Sequence, residues 1–129
     1  MKKFGKRILA LGLTLGVICS IGSVSFAATH KERKINGSWA RCKSDISNGT
    51  ASAWTNYDGS GSVYVSSKYY CRHVGTGNVK CTERSKLNYG TAEVKFKANS
   101  GCLSRDISSE HKVSVPDESW KVYTSNVFP

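Results

Sequence analysis

The sequence lacks the short motifs that mark several large enzyme classes. It contains no Gly-x-Ser-x-Gly, no His-Glu-x-x-His and no phosphate-binding P-loop. No two cysteines have Cys-x-x-Cys spacing, which argues against a zinc site, and the three histidines stand far apart in the chain. The sequence therefore shows no motif for an activated nucleophile, a metal centre or a nucleotide-binding loop. We expect a protein without catalytic activity, cofactor or metal.

Long apolar segments are also missing, apart from one near the start. The run from Ile8 to Ile21 follows a basic head and is short for a membrane span. Small residues, Ser25 and Ala27, come shortly after it, as in a signal-peptidase site. Residues 1–27 are therefore predicted to be a secretory signal cleaved after Ala27, and the mature protein is predicted to be secreted by a bacterium. The Lys-rich start of the signal indicates a Gram-positive one.

Acidic residues are scarce, because nine Asp and Glu stand against 19 Lys and Arg. The signal removes four basic residues and no acidic one, so residues 28–129 keep a formal charge of +6. A basic exported protein is attracted to anionic partners such as cell-wall polymers, phosphate head groups or nucleic acid. Charge alone does not choose among them.

Helical periodicity is absent as well, and short alternating segments take its place. The clearest is TAEVKFKAN, in which Ala92, Val94 and Phe96 alternate with charged residues. INGSWARC, TASAWTNY, SVYVSSKYYCRH, HKVSV and SWKVYTSNVF behave similarly, with Gly-containing turns between several of them. We predict a flexible basic arm over residues 28–34 and one small antiparallel β-sandwich or barrel over residues 35–129.

Four cysteines remain after the signal is removed: Cys42, Cys71, Cys81 and Cys102. In a short exported chain, four cysteines indicate two disulfides with three possible connectivities. A hairpin that turns on Gly75–Gly77 would place Cys71 opposite Cys81, which predicts a Cys71–Cys81 bridge. Cys42–Cys102 would then be the second pair.

Aromatic residues supply the candidate binding site. In SVYVSSKYYCRH, alternation puts Val63, Val65, Tyr69 and Cys71 on one face. The opposite face carries the four residues that we predict to contact a ligand, with rings that could stack on sugars or bases: Tyr64, Lys68, Tyr70 and Arg72. The three tryptophans, Trp39, Trp54 and Trp120, are expected to fill the core of so small a domain.

An alternative belongs to a different functional class. Small basic secreted ribonucleases combine a Glu base, a His acid and cationic phosphate ligands, and Glu93, His111, Arg105 and Lys95 provide those residue types. Any basic domain of this size offers a comparable set, so the composition alone is a weak indication. A cell-wall or carbohydrate-binding module without toxicity is the other alternative.

Several motifs together resemble the lactococcin 972 family of bacteriocins. Gly37, Ser38 and Trp39 match its first element, Ser52–Tyr57 its second, and Ala92–Ala98 loosely its later strand. The resemblance covers about two thirds of the mature chain. This chain departs from the family in its four cysteines, in its extension beyond residue 101, and in Asp58, Gly59 and Ser60, which replace a histidine-rich turn.

The resemblance implies a Sec-exported β-sandwich that acts outside the cell. Members of the family bind the wall precursor lipid II and block septum formation in related bacteria. The implied partners are the cell envelope of related Gram-positive bacteria and, in the producer, a cognate immunity membrane protein. No nucleic-acid partner and no stable insertion into a membrane are expected.

Overall fold

The computed structural model describes residues 29–129, and the predicted signal peptide lies outside them. Within these residues the chain is all-β, as predicted, and forms two antiparallel four-stranded sheets. The strands are β1 His30–Ile35, β2 Ser38–Ser47, β3 Thr50–Tyr57, β4 Ser62–His73, β5 Val79–Tyr89, β6 Thr91–Lys97, β7 Cys102–Val115 and β8 Glu118–Val127. This part of the chain has no helix that could span a membrane.

The chain crosses between the two sheets three times, after β3, β5 and β6. The first sheet has the order β1-β2-β3-β6 and the second β5-β4-β7-β8. The chain returns from the second sheet to the first through Gly90 alone, whose φ of 84° is a left-handed conformation that glycine adopts easily. The carbonyl of Gly90 accepts a hydrogen bond from the Tyr57 N–H at 2.8 Å, which fixes this tight crossing against β3.

The inward residues that alternation predicts for β4 and β6 are confirmed. On β4 the buried side chains include Val63, Val65, Tyr69 and Cys71, and on β6 they are Ala92, Val94 and Phe96. Tyr69 of the second sheet stacks on Phe96 of the first, with ring centroids 5.3 Å apart. Each such ring contributes roughly 1.5–3 kcal/mol when it leaves water, so this pair is a main contact between the sheets.

A second group of inward side chains is polar. His111 Nδ1 lies 2.8 Å from Thr55 Oγ1, and His111 Nε2 lies 2.7 Å from Thr124 Oγ1. The contacts continue from Thr124 to Ser44 at 2.6 Å, from Ser44 to Ser109 at 2.8 Å and from Ser109 to Ser67 at 2.7 Å. We call these six buried side chains the polar belt: Ser44, Thr55, Ser67, Ser109, His111 and Thr124.

The tryptophans do not all fill the core, contrary to expectation. Trp120 is buried, but Trp39 is 37% exposed and Trp54 points outward between Lys43 of β2 and Glu93 of β6. The inward positions beside them are small, including Ala40 and Ala53 on β2 and β3. Tyr57, Tyr69 and Phe96 supply most of the large rings in that part of the interior.

The predicted basic arm is wrong for most of its length. Residues 30–35 form β1, which pairs with β2 from His30↔Lys43 to Ile35↔Ser38. Ile35 is fully buried, and its carbonyl accepts a hydrogen bond from the Tyr57 hydroxyl at 2.8 Å. Backbone pairing, the buried Ile35 and the 3.1 Å ion pair between Arg33 and Glu118 of β8 hold this segment, although its charged composition gave no sign of a strand.

The predicted disulfides are not present, because all four cysteines of the described residues are free thiols. The register pairs Cys71 with Lys80 and Tyr70 with Cys81, so Cys71 points inward and Cys81 outward. The β4–β5 loop has the five residues 74–78 instead of three, since His73 Nδ1 accepts from the Gly75 and Thr76 N–H groups at 3.1 Å. Cys42 lies buried in the first sheet opposite Lys31 and Thr55 and is not bonded to Cys102.

Candidate binding face

The four predicted site residues lie together on the outer face of the second sheet. Tyr64, Lys68, Tyr70 and Arg72 alternate along β4 with its buried positions. β4 is an inner strand, between β5 and β7, so neighbouring strands supply side chains on both sides of this row. The face assignment made from the sequence is confirmed, and the role of these residues in binding stays a prediction.

Tyr64 lies between a cation and an apolar side chain. Across β7 it is paired with Lys112, whose Nζ lies 5.2 Å from the centroid of the phenol ring. Across β5 it is paired with Leu87, which is 69% exposed, and Tyr89 on the same strand is 78% exposed. The arrangement gives a flat aromatic surface with positive charge at one side, which suits a ligand that has both a ring face and an anionic group.

Tyr70 has a second cation beside it, and a β-bulge places that cation there. Tyr70 pairs with Asp106 and Cys71 with Ser104, so Arg105 has no opposite residue on β4. The Arg105 guanidinium carbon lies 5.7 Å from the Tyr70 ring centroid, and its Nε lies 2.9 Å from Asp106. Burial raises the pKa of Asp106, and the charge and hydrogen bond of Arg105 oppose that shift.

Lys68 and Arg72 keep their charges available to solvent. Lys68 lies opposite Glu83 of β5, and Arg72 lies between Val79 of β5 and Leu103 of β7. Among the ion pairs of residues 29–129, none includes Lys68, Arg72 or Lys112. An anion approaching this face would meet three cations that have no carboxylate partner to displace.

The structure adds Lys112, Arg105, Leu87 and Tyr89 to the predicted row. A correct β4–β7 register would have revealed Lys112, since both strand segments show alternation in the sequence. Arg105 depends on the bulge, which no sequence pattern marks. Leu87 and Tyr89 lie on a strand whose composition is polar and whose side chains are nearly all exposed.

The outer face of the first sheet also carries aromatics, and carboxylates engage two of its cations. Trp39 lies between Lys34 at 5.4 Å and Arg41 at 5.5 Å from its ring centroid. Arg41 is shared by Asp58 at 3.3 Å and Glu32 at 3.8 Å, and Lys43 contacts Asp45 at 3.3 Å. Carboxylates therefore engage Arg41 beside Trp39 and Lys43 opposite Trp54, whereas Lys34 is in none of the ion pairs of residues 29–129.

The residues of the ribonuclease alternative do not converge. His111 is fully buried in the polar belt, and burial, followed by the charge of Lys31, lowers its pKa to about 3. Glu93 lies on the outer face of the first sheet, whereas Arg105 lies on that of the second. Only Glu93 and Lys95 share a groove, of about 570 Å³, which Arg84 and Lys86 of β5 also line. A histidine that no substrate can reach cannot serve as the acid in that mechanism.

Comparison of this chain with protein-family models, with curated proteins and with solved structures finds no match. The resemblance to the lactococcin 972 family therefore rests on the sequence motifs alone.

Proposed function

We propose that this protein is a secreted, bacteriocin-like antibacterial protein that binds the envelope of related Gram-positive bacteria. The proposed ligand is a glycan carrying phosphate, of which lipid II is the candidate that the sequence resemblance suggests. The observation that carries the proposal is the outer face of the second sheet, where Tyr64 and Tyr70 lie beside Lys68, Arg72 and Lys112.

The two halves of such a ligand match the two kinds of side chain on this face. Lys68, Arg72 and Lys112 can donate charge-assisted hydrogen bonds to phosphate oxygens, which are stronger than neutral ones. The phenol rings of Tyr64 and Tyr70 present flat apolar surfaces against which a sugar ring can pack. The proposed action needs no bond to be made or broken, because a protein that covers a wall precursor withholds it from septum synthesis.

Vesicle binding tests the proposal directly. Purified residues 28–129 are titrated with phosphatidylcholine vesicles, with vesicles that also hold lipid II, and with vesicles that hold an anionic phospholipid instead. We expect binding to the lipid II vesicles to be the tightest. Replacement of Tyr64, Lys68, Tyr70 and Arg72 by Ser should weaken it by roughly 100-fold or more, since each lost charge-assisted bond costs about 1.5–3 kcal/mol.

A matched control removes the same charge from the other sheet. Lys95→Ser combined with Lys97→Ser takes two cations from the outer face of the first sheet and leaves the tyrosine face intact. This variant should bind lipid II vesicles within about twofold of the parent chain. Equal binding by the four-residue variant, with its fold retained, would remove the proposed site.

Growth inhibition then tests the antibacterial role. Dividing cells of related Gram-positive strains should stop forming septa when the protein is added, and added lipid II should relieve the block. Envelope binding without inhibition on any strain would instead favour the non-toxic wall-binding alternative. Cleavage of RNA that is lost in Glu93→Ala would favour the ribonuclease.

A further inference from the structure

Two of the four free thiols are neighbours. Cys71 is buried near the end of β4, and Cys102 is the half-buried first residue of β7. The β4–β7 register pairs His73 with Cys102 and Cys71 with Ser104, so Cys102 lies one diagonal step from Cys71 on the inward face. Burial, followed by the neighbouring Cys71 thiol, raises the pKa of Cys102. Burial also raises the pKa of the Tyr69 phenol, to which the two nearby thiols add, and the Tyr69 hydroxyl lies 2.6 Å from Ser104 Oγ.

We propose that Cys71 and Cys102 are a disulfide-forming pair, which closes when the protein meets a disulfide oxidant, while neither Cys42 nor Cys81 takes part in a bridge within the chain. The inference concerns the covalent state of the domain and does not depend on the proposed function. It replaces the pairings expected from the sequence with one that the β-bulge at Arg105 and the strand register bring about.

The chemistry is thiol–disulfide exchange with an external disulfide, such as oxidised glutathione or a disulfide-bonded oxidoreductase. Cys102, the more exposed thiol, loses its proton and attacks one sulfur of the oxidant, and the other half of the oxidant leaves as a thiolate and takes up a proton. Cys71 then loses its proton and attacks the Cys102 sulfur, which releases the second half as a thiol. The protein loses two protons and two electrons, and the oxidant becomes two thiols.

The other two cysteines lack a reachable partner. Cys81 points outward, because it is paired with Tyr70, and cannot approach the inward-facing Cys71. Cys42 is fully buried in the first sheet, and burial raises its pKa to about 12. Exchange requires a thiolate that the oxidant can reach, so Cys42 should be the least reactive of the four.

The bridge would join two strands that are neighbours in space but distant in sequence. The segment from 71 to 102 contains β5 and β6, so the cross-link closes the hairpin and the crossing between the sheets into one loop. A loop of this length restricts the unfolded chain considerably. We expect the oxidised domain to melt about 10–20 °C above the reduced one.

Peptide mapping tests the pairing. The purified chain is incubated with oxidised glutathione, unreacted thiols are alkylated in denaturant, and the digest is analysed by mass spectrometry. We expect one cross-linked peptide pair joining Cys71 to Cys102, alkylated Cys42, Cys81 either alkylated or carrying glutathione but cross-linked to no other cysteine, and a rise in the melting temperature that dithiothreitol reverses. A Cys71–Cys81 or Cys42–Cys102 bridge, or no bridge at all, would overturn the proposal.

Single variants separate the pair from its neighbours. Cys81→Ser should leave the cross-link and the melting temperatures unchanged. Cys71→Ser should leave Cys102 holding glutathione as a mixed disulfide, because no second thiol resolves it. Cys102→Ala, at the more exposed position, provides the same test should the buried substitution unfold the domain, since it should abolish both the cross-link and the rise in melting temperature. A cross-link that survives in either variant contradicts the assignment.

Discussion

The interior of the sandwich has apolar ends and a polar middle. At one end Tyr69, Ile107 and Phe96 are packed together, and at the other Val63, Val113 and Trp120 lie side by side across β4, β7 and β8. Between them runs the polar belt, in which Ser67, Ser109 and Thr124 occupy the same row of three strands. The ends gain stability from apolar burial, whereas the belt must satisfy every hydroxyl that it removes from water.

The polar belt joins the two sheets through directional hydrogen bonds, whereas the apolar ends join them through buried surface area. Ser44 and Thr55 come from the first sheet, and the four other members come from the second. Thr55 donates its hydroxyl proton to the Tyr64 carbonyl at 2.9 Å, so it accepts from Nδ1–H of a neutral His111, and Nε2 accepts from Thr124. Apolar side chains can slide past each other, but these bonds hold only in one alignment, which suggests that the belt specifies how the sheets align.

Lowering the pH should destabilise the polar belt and not the apolar ends, and we expect this effect to be larger than that of any single substitution. The pKa of His111 is lowered to about 3 in the folded protein, against about 6.5 in an unfolded chain. The stability that the neutral imidazole contributes to the fold is therefore fully present above pH 6.5. It is lost as the pH falls from 6.5 to 3, because His111 takes up its proton in the unfolded state first. We expect the free energy of unfolding to fall by about 4–5 kcal/mol over that range, measured by urea denaturation.

His111→Gln provides the control, since it keeps a polar side chain and removes the titrating group. The variant should be less stable at pH 7 and should lose most of the decline between pH 6.5 and 3. Asp106 acts in the opposite direction, because its raised pKa favours the folded state as the pH falls. A decline that persists unchanged in the glutamine variant would contradict the assignment to His111.

Truncation at an apolar end should cost less and should not depend on pH. Ile107 is fully buried, and Ile107→Ala should lower the free energy of unfolding by about 3 kcal/mol at both pH 7 and pH 5, because it leaves a cavity. Ile107→Val removes one methylene and should cost about 1 kcal/mol. The comparison would fail if the alanine variant steepened the pH dependence as a belt substitution should.

The apolar ends and the outer row of β4 were predictable, because alternation assigns faces wherever inward residues are apolar. Val63, Val65 and Cys71 inward and Tyr64 and Tyr70 outward follow from period two alone. The tryptophans escaped this logic, since Trp39 and Trp54 are outward residues on strands whose inward positions are alanines. Hydrophobicity alone predicts that a tryptophan is buried. Its outward position becomes evident only when the small alanines that alternate with it are recognised as the inward residues of the strand.

The belt and the register were not predictable for a different reason. Ser104 and Ser109 point inward on β7, and serines in the segment before His111 indicate a loop more readily than a buried strand. A serine is inward only when another hydroxyl or an imidazole is placed to bond it, and those partners come from other strands. The Cys71–Cys81 error has a similar origin, because the His73 side chain lengthens the turn and a one-residue slip reverses every face.

Within the belt, a member in the middle should matter more than one at its end. Thr124 contacts both His111 and Ser44, and Thr124→Val keeps the shape of the side chain while leaving both partners short of a bond. We expect a loss of about 2 kcal/mol in the free energy of unfolding at pH 7. Ser67 is the last member of the belt and contacts only one other member, Ser109. Ser67→Ala should therefore lower the free energy of unfolding by about 1 kcal/mol or less. Equal losses in the two variants, measured by urea denaturation, would mean that the hydroxyls act singly and that the belt is not a connected network.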